Sequence, residues 1–465
     1  HVEPLGGSAG SGVHVEPLGG SAGSGVHVEP LGGSARIGRV VDVTISPSAA
    51  ATRSGNPLRL GFPTALRFLF LGDLVTAIGI GLTQPYLVIL LHTVKGMPLV
   101  TATAMTSVLA LASFPGNWLS GLLADRIGGH RVMTAGLVAS VSGLCIVAAG
   151  DGALLLGMGV AAVGFGWSVT LPAYSTLIAG LVPEAKHGRV FTFQYALFNA
   201  GMGAGAAAAA LVTHRAITTS MTLLWWVAAA TCLVAVGAVW IARVRTPATP
   251  PAGQPGEAAP QAGGYRAVFA DRALLRVLAA AALASAAGYG IYNAGLPVLA
   301  IIAEDPAVMS WVSVANCLTV VAGLPLALTV AKRLRAPQLL AATAAAWSIG
   351  WLLCAVEAHV GLLGTRISLP LAAVFMGIGE LFMAGALPAM VNALAPQALR
   401  GRYNAILTMA ITSGMWAGPL LAAGATALHE ISLLFVVAVA MLAAMTLLVY
   451  RPNVASAELA TLEAS

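Results

Sequence analysis

Charged residues are so widely spaced along this chain that the intervals between them constrain its fold more than any motif does. No Asp, Glu, Lys or Arg lies between Arg131 and Asp151, between Asp151 and Glu184, or between Arg215 and Arg243. Twelve such intervals, two of them containing one acidic residue, are long enough to cross a bilayer as a helix of about 1.5 Å rise per residue. Their apolar residues are continuous, which is not the alternating pattern of a membrane β-barrel.

The composition indicates the same environment. Only 9% of the residues are charged and 58% are hydrophobic, with a mean hydropathy of +0.87, whereas a soluble domain carries about 25% charged residues. We therefore predict an all-α membrane protein with twelve transmembrane helices. The predicted helices cover residues 64–92, 99–123, 132–150, 153–181, 191–213, 219–242, 273–302, 308–331, 338–356, 368–395, 403–427 and 431–450.

Two segments of biased composition divide the chain. The first 35 residues repeat the 13-residue unit HVEPLGGSAGSGV from His1 and again from His14, which predicts a disordered Gly/Ser-rich tail. Residues 246–264, TPATPPAGQPGEAAPQAGG, predict a linker. The predicted domains are a cytoplasmic tail over 1–60, an amino-terminal six-helix bundle over 61–243, a cytoplasmic linker over 244–272, a carboxy-terminal six-helix bundle over 273–451 and a cytoplasmic tail over 452–465.

The two predicted bundles are related in sequence. A shift of 213 residues places residues 164–205 on residues 377–418 without a gap. The shift also superimposes two Pro-x-Ala-x-x-Gly-Arg loops, which begin at Pro183 and Pro396. A parallel six-plus-six repeat is the arrangement expected when two pseudo-symmetric bundles move around a central binding site.

Basic residues are divided unequally between the two predicted sides of the membrane. If the amino terminus is cytoplasmic, twenty Lys and Arg residues fall on the cytoplasmic side and three, Lys95, Arg215 and Arg366, fall on the other. The positive-inside rule then predicts a multi-pass protein of the cell (inner or plasma) membrane with both termini in the cytoplasm. The net charge of +6 is spread over these loops, so we expect no nucleic-acid partner.

The loop between predicted helices 2 and 3 carries a compact motif that begins at Gly121 and reads GLLADRIGGHR. It resembles the Gly-x-Leu-Ala-Asp-Arg-x-Gly signature of the major facilitator superfamily, and it lies between the helices where that family carries it. The resemblance implies a fold of two pseudo-symmetric six-helix bundles and secondary transport. It also implies a conformational latch of the outward-facing state; the alternative is a loop that only sets topology. The latch residues are Gly121, Asp125, Arg126, Gly128 and Arg131.

A second resemblance concerns predicted helix 10. Its Gly377-x-Gly379-Glu380 pattern, followed by a proline and a Gly-Arg-Tyr loop, is similar to multidrug exporters of the drug:proton antiporter branch. The chain departs from that branch in three places. Predicted helix 5 has glycines but no proline, predicted helix 4 lacks an arginine, and the loop at residues 331–335 lacks an aspartate.

Two acidic residues lie inside predicted helices, Glu380 near the midplane and Asp73 nearer the cytoplasm. An intramembrane acid costs about 2.5 kcal/mol or more, and such residues tend to face cavities and to be functional. No basic residue in a predicted helix interior neutralises Glu380, so we predict that it binds and releases protons, with Asp73 as a second coupling residue. The alternatives are a permanently protonated Glu380 and an interfacial Asp73 that reaches Arg67 or water.

Polar and aromatic residues at similar depth predict a substrate cavity. The 213-residue shift pairs Trp167 with Glu380, so both are expected to face it. The lack of Arg and Lys at this depth favours hydrophobic or weakly cationic substrates over phosphates or dicarboxylates. Each aromatic residue has an alternative role in packing or at the membrane interface. The predicted cavity residues are Gln84, Trp167, Tyr174, Gln194, Tyr195, Asn199, Tyr289, Tyr292, Asn293, Asn316 and Trp416.

These patterns favour a transporter over an enzyme. The four cysteines lie in predicted helices without CxxC spacing, and no nucleotide-binding loop or Ser-His-Asp arrangement is present, so we expect no metal and no cofactor. The hypothesis is a functional monomer in the lipid bilayer that exports small amphiphilic or drug-like molecules in exchange for protons by alternating access. The alternatives are uptake or exchange of a nutrient such as a sugar, and a transport-inactive scaffold or receptor.

Overall fold

The computed structural model describes residues 62–183, 186–213, 217–245, 269–357, 361–396 and 399–450. The predicted tails over 1–60 and 452–465, and residues 246–268 of the predicted linker, lie outside these ranges. Within the described ranges the long regular elements are all helices, and none is a strand.

The prediction of twelve membrane helices is confirmed, because twelve helices in the described ranges are long and apolar enough to cross a membrane. We number them α1 to α12 in chain order. They are α1 Thr64–Val94, α2 Leu99–Ile127, α3 Gly129–Ala149, α4 Ala153–Leu181, α5 His187–Thr213, α6 Ile217–Arg245, α7 Arg272–Ile302, α8 Val308–Ala331, α9 Ala336–Glu357, α10 Gly361–Leu394, α11 Arg400–Ala427 and α12 Ile431–Val449.

Helix α10 shows why charge spacing gives inexact helix ends. The sequence predicts its start at residue 368, after Arg366, but the helix already begins at Gly361. The Arg366 Nε lies 2.7 Å from Asp305 Oδ2, so Arg366 forms an ion pair within the first turns of the helix. A charge therefore marks the edge of the apolar region, and a helix can continue past it.

Two sets of helix ends define the two faces of the molecule. The face here named the basic face contains the helix ends Ile127, Gly129, Leu181, His187, Ala331, Ala336, Leu394 and Arg400. The face named the opposite face contains the helix ends Val94, Leu99, Ala149, Ala153, Ile302, Val308, Ala427 and Ile431. The described chain crosses between these faces twelve times.

Each half packs its helices in the same way. In the amino-terminal half α1 packs on α5 and α6, and α4 packs on α2 and α3; in the carboxy-terminal half α7 packs on α11 and α12, and α10 packs on α8 and α9. Between the halves, the main contacts join α2 to α11 and α5 to α8. This pairing makes the two bundles pseudo-symmetric.

Glycines paired by the 213-residue shift make equivalent contacts. A Cβ at Gly201 of α5 would lie 2.9 Å from the Leu74 carbonyl oxygen of α1, and one at Gly414 of α11 would lie 2.2 Å from the Ala282 carbonyl oxygen of α7. Small residues allow such close approach of backbones in a membrane, where packing rather than the hydrophobic effect holds helices together.

Candidate functional site

A cavity of about 240 Å³ lies between the two halves. Ten polar or aromatic residues from α1, α5, α7, α8, α9 and α10 line it, and no Lys, Arg or His is among the lining residues. The sequence pattern predicted eight of the ten: Gln84, Tyr195, Asn199, Tyr289, Tyr292, Asn293, Asn316 and Glu380. A narrower space of about 50 Å³ shares several of these residues and continues among α1, α5, α7 and α8.

Irregular turns in α1 and α7 shape the cavity wall. Helix α1 tightens into a 3₁₀ turn over Gln84–Tyr86, where Pro85 has no backbone N–H to donate. Helix α7 widens into a π turn over Ala286–Gly290, a feature often found at functional sites. At Gly288 the turn passes so close to α9 that a Cβ would lie 2.1 Å from the Trp347 ring.

Glu380 has neutral polar partners from both halves. The Tyr195 hydroxyl of α5 donates to Glu380 Oε1 at 3.0 Å, and this hydrogen bond joins the amino-terminal half to the carboxy-terminal half. The Asn316 amide of α8 is a second polar neighbour of the carboxyl. With no cation in the cavity lining, the most direct way to neutralise this acid is to bind a proton or a cationic ligand.

Asp73 lies apart from this cavity, in the amino-terminal half. The Gln194 Nε2 of α5 donates to Asp73 Oδ2 at 2.9 Å. The Tyr174 side chain of α4 is only 2% exposed and interacts electrostatically with the same carboxyl. Arg67 donates its Nε to the Phe62 carbonyl oxygen at 3.0 Å, so that contact does not support the alternative in which Asp73 reaches Arg67.

Four of the predicted cavity residues lie elsewhere. Gln194 and Tyr174 lie near Asp73 rather than in the cavity lining, and the two tryptophans line other spaces. Trp167 lines a separate space of about 30 Å³ inside the amino-terminal half, beside Trp225 of α6. Its indole fills the gap between helices of one bundle, whereas the carboxyl of Glu380 reaches the midline between bundles. Trp416 is 38% exposed and lines an apolar groove beside the α2–α11 contact. Ser107 Oγ of the amino-terminal half donates a hydrogen bond to the backbone carbonyl oxygen of Trp416 at 2.9 Å, so this contact does not involve the Trp416 side chain.

Five lining residues were not predicted from the sequence, where polar and aromatic side chains at one depth were the criterion. Phe198 and Met202 follow Tyr195 at helical spacings of three and seven, so the face of α5 that carries Tyr195 and Asn199 would have revealed them. Gly288 and Trp347 enter the lining because the π turn of α7 contacts the Trp347 ring of α9, and Met376 of α10 accepts a hydrogen bond from Trp347 Nε1 on its carbonyl oxygen at 2.7 Å. No sequence signal places them there.

The motif at the end of α2 forms the shortest connection between two of the twelve described helices. Helix α2 ends at Ile127, Gly128 adopts a positive φ of 85°, and α3 begins at Gly129. A positive φ strains residues with a Cβ, which explains the glycine. Arg126 and Arg131 are exposed on the basic face. The side chains of the other two predicted latch residues, Gly121 and Asp125, lie outside the described part of the structure.

The opposite face is closed over the cavity. Tyr86 of α1 and Ser310 of α8 share a hydrogen bond between their hydroxyls, and Gln84 Nε2 donates to Asn293 Oδ1 of α7 at 3.2 Å. A fully buried apolar cluster adds Val88 and Leu91 of α1, Leu156 of α4 and Val298 of α7. Two bundles around a polar cavity that one face seals are the architecture of a membrane transporter.

Comparison with known proteins identifies the family. The sequence profile of the Major Facilitator Superfamily matches residues 69–305 and 278–464. The chain therefore belongs to the major facilitator superfamily. It is also similar to the uncharacterized MFS-type transporter YttB of Bacillus subtilis (strain 168), with 27% identity over 370 residues, which are 77% of this chain and 87% of the relative.

Solved structures share the fold at low sequence identity. The POT family transporter PepTSo superimposes with a TM-score of 0.66 and 14% identity over 83% of this chain and 98% of that chain. The nucleoside transporter NupG superimposes with a TM-score of 0.68 and 15% identity over 82% of this chain and 98% of that chain. At these identities the likeness concerns the fold alone.

Proposed function

We propose that this transporter exports small amphiphilic molecules from the cytoplasm in exchange for protons, with Glu380 as the proton-carrying group. The observation that carries the proposal is the Glu380 carboxyl, which faces the cavity between the halves without a cation and accepts a hydrogen bond from Tyr195 of the other half. A proton and a cationic substrate compete for one carboxylate, which is the simplest way to couple their movements. The bundles alternate between two states that each ligand biases by its own binding free energy.

The cavity lining supports an amphiphilic, neutral or cationic substrate. Tyr289, Tyr292 and Trp347 offer aromatic surface, and the Tyr289 and Trp347 rings pack edge to face at 5.9 Å. Some structural neighbours are peptide transporters. A peptide brings a carboxylate as well as an amine, and this lining has an acid for the amine but no base for the carboxylate. A cationic aromatic compound offers a positive charge to Glu380 and a ring to the aromatic side chains.

Nutrient uptake is the second candidate, and one observation favours it. The lining contains four amide side chains, Gln84, Asn199, Asn293 and Asn316, which can both donate to and accept from hydroxyl groups. A sugar or a nucleoside presents such groups, and one structural neighbour is a nucleoside transporter. A substrate panel that includes a sugar and a nucleoside discriminates the two candidates.

The cellular setting follows from charge. The positive-inside rule supports a cell-membrane protein whose basic face and both termini lie in the cytoplasm. The closed opposite face is then the outer face, which supports loading of substrate from the cytoplasm. The working unit is a monomer, because the cavity is complete within one chain. The motif residues Gly121, Asp125, Arg126, Gly128 and Arg131 form the latch of the other state.

The test is transport into liposomes that contain the purified protein, under an imposed pH gradient, with a panel of dyes and antibiotics. Glu380→Gln keeps the size of the neutral side chain but cannot ionise. We expect it to insert normally, to bind neutral compounds and to lose gradient-driven accumulation. The matched control is Glu304→Gln, the same chemical change on an exposed residue of the opposite face. Gradient-driven accumulation of substrate by the Glu380→Gln protein would contradict the proposal.

A further inference from the structure

Helix α5 carries two consecutive residues that bind two different acids. Gln194 donates to Asp73 of α1 at 2.9 Å, and Tyr195 donates to Glu380 of α10 at 3.0 Å. Consecutive side chains project about 100° apart on an α-helix, which follows from about 3.6 residues per turn. One helix can therefore reach an acid in each half. Because both donors share one helix backbone, a movement of α5 shifts both contacts together.

The surroundings of Asp73 are those of a proton site. The Tyr174 hydroxyl, on a side chain that is 98% buried (2% exposed), has no hydrogen-bond partner in the described part of the chain and interacts electrostatically with Asp73. A buried hydroxyl without a partner is costly. The Tyr174 hydroxyl is both a donor and an acceptor, so it is suited to either protonation state of Asp73, whose Oδ2 accepts from the Gln194 amide.

The groups that face each acid are neutral side chains. Around Asp73 they are Gln194 of α5 and Tyr174 of α4. Around Glu380 they come from α5, α7 and α8, and they are Tyr195, Tyr289, Tyr292, Asn316 and Cys317. No described Lys, Arg or His is among these neighbours, and α5 contributes one hydrogen-bond donor to each acid.

We propose that Asp73, Gln194 and Tyr174 form a second proton-binding site, and that α5 links its occupancy to that of Glu380. The proposal rests on the proposed function in one respect, that Glu380 exchanges protons. A cation at Glu380 displaces the Tyr195 hydroxyl, α5 moves, and the Gln194 amide leaves Asp73. Asp73 then takes a proton from water on the basic face. The proton stays on Asp73, whose O–H donates a hydrogen bond to the Tyr174 hydroxyl.

The test is labelling of the purified protein with an apolar carbodiimide, which reacts with protonated intramembrane carboxyls, followed by mass spectrometry of the peptides that contain Asp73 and Glu380. Tyr195→Phe removes the donor to Glu380 and does not touch Asp73. We expect it to speed labelling of Asp73 about threefold, the order expected for the loss of one net hydrogen bond. Coupling between two sites acts in both directions, so we expect Gln194→Met to change the rate at which Glu380 is labelled.

The matched control is Tyr403→Phe, which removes a tyrosine donor to a different carboxylate, Asp271 Oδ2 at 3.0 Å outside the cavity, and it leaves Asp73 labelling at the wild-type rate. Local effects alone, with Tyr195→Phe changing only Glu380 and Gln194→Met changing only Asp73, would overturn the link. If one variant fails to fold, the other still decides the question. The assay uses neither substrate nor gradient, so its result is separate from the fate of the transport proposal.

Discussion

Helices α4 and α10 occupy equivalent places in the two halves and differ where the chemistry lies. Both pack a glycine against the second helix of their half, Gly164 against α2 and Gly377 against α8. Three residues later α4 carries Trp167, which fills space inside its own bundle, and α10 carries Glu380, which faces the cavity between bundles. The two halves therefore share the glycine at the packing position and differ in the side chain three residues later. Packing is thus shared by the halves, while the proposed proton chemistry at this position belongs to one.

The largest expected effect is on stability, and it comes from removing the Trp167 side chain. Trp167→Ala removes a large side chain from the interior of the amino-terminal half, and we expect a loss of about 3 kcal/mol of stability. Proton-coupled transport per folded molecule should remain, in contrast to Glu380→Gln. Thermal unfolding in detergent and liposome transport measure the two quantities. Loss of coupling in a Trp167→Ala protein that folds would contradict the division of roles.

The paired glycines should differ in their tolerance of a methyl group. In Gly164→Ala the new Cβ would lie 2.1 Å from the Leu109 carbonyl oxygen, whereas in Gly377→Ala it would lie 3.1 Å from that of Asn316. We expect Gly164→Ala to cost about 1–3 kcal/mol and Gly377→Ala to cost less.

Each of these helices offers its own control for that comparison. Gly180 of α4 and Gly385 of α10 have open space where a Cβ would go. Both Gly→Ala changes should therefore be neutral or slightly stabilising, by up to about 1 kcal/mol from helix propensity. Equal melting temperatures for Gly164→Ala and Gly377→Ala would show that the two helices pack with equal tolerance.

The α2–α3 connection differs from its counterpart at residues 331–335, which has no aspartate. If Asp125 stabilises one of two states, Asp125→Asn should slow transport about tenfold, since about 1.4 kcal/mol changes a population tenfold. Substrate affinity should change far less. Asp151→Asn, the same change at the other end of α3, is the control. Equal transport rates for Asp125→Asn and wild type would argue for a loop that only sets topology.

The smallest effect should come from Trp416→Phe. The side chain lines the apolar groove beside the α2–α11 contact, and the hydrogen bond from Ser107 goes to its backbone oxygen, which the variant keeps. We expect transport rates within about twofold of wild type, because replacing one exposed aromatic ring by another changes little burial. A change in substrate preference would place this groove on the substrate path.

Much of the fold was readable because lipid imposes simple rules. The ranges predicted for α4 and α8 coincide with the observed helices, since a charge or a turn residue bounds each apolar run. The 213-residue shift also identified glycines that do pack alike, because only glycine allows such close contact. The early start of α10 was missed because Arg366 is paired with Asp305, a contact that no sequence spacing reveals.

The candidate site was only partly readable. Depth in the membrane can be counted along each helix from the sequence, and this count predicts that Glu380 and Tyr195 lie at a similar level. Selection by depth alone also included Trp416, whose side chain lines the apolar groove and not the cavity. It left out Trp347, which lines the cavity beside the π turn of α7. The pairing of Gln194 with Asp73 could not be predicted, because the sequence does not show which neighbouring helix each side chain faces.

The sequence by itself determined how many helices cross the membrane, which residues share a depth, and where two backbones can approach closely. These properties depend on the run of the chain along the membrane normal, which hydrophobicity encodes directly. Only the tertiary structure decided which way each helix face points, and hence that Tyr195 reaches Glu380 while Trp167 stays within its own bundle. Rotation about a helix axis is set by packing against neighbours that are far away in sequence. Nearly all the helix faces here are apolar, so hydrophobic patterning leaves that rotation undetermined.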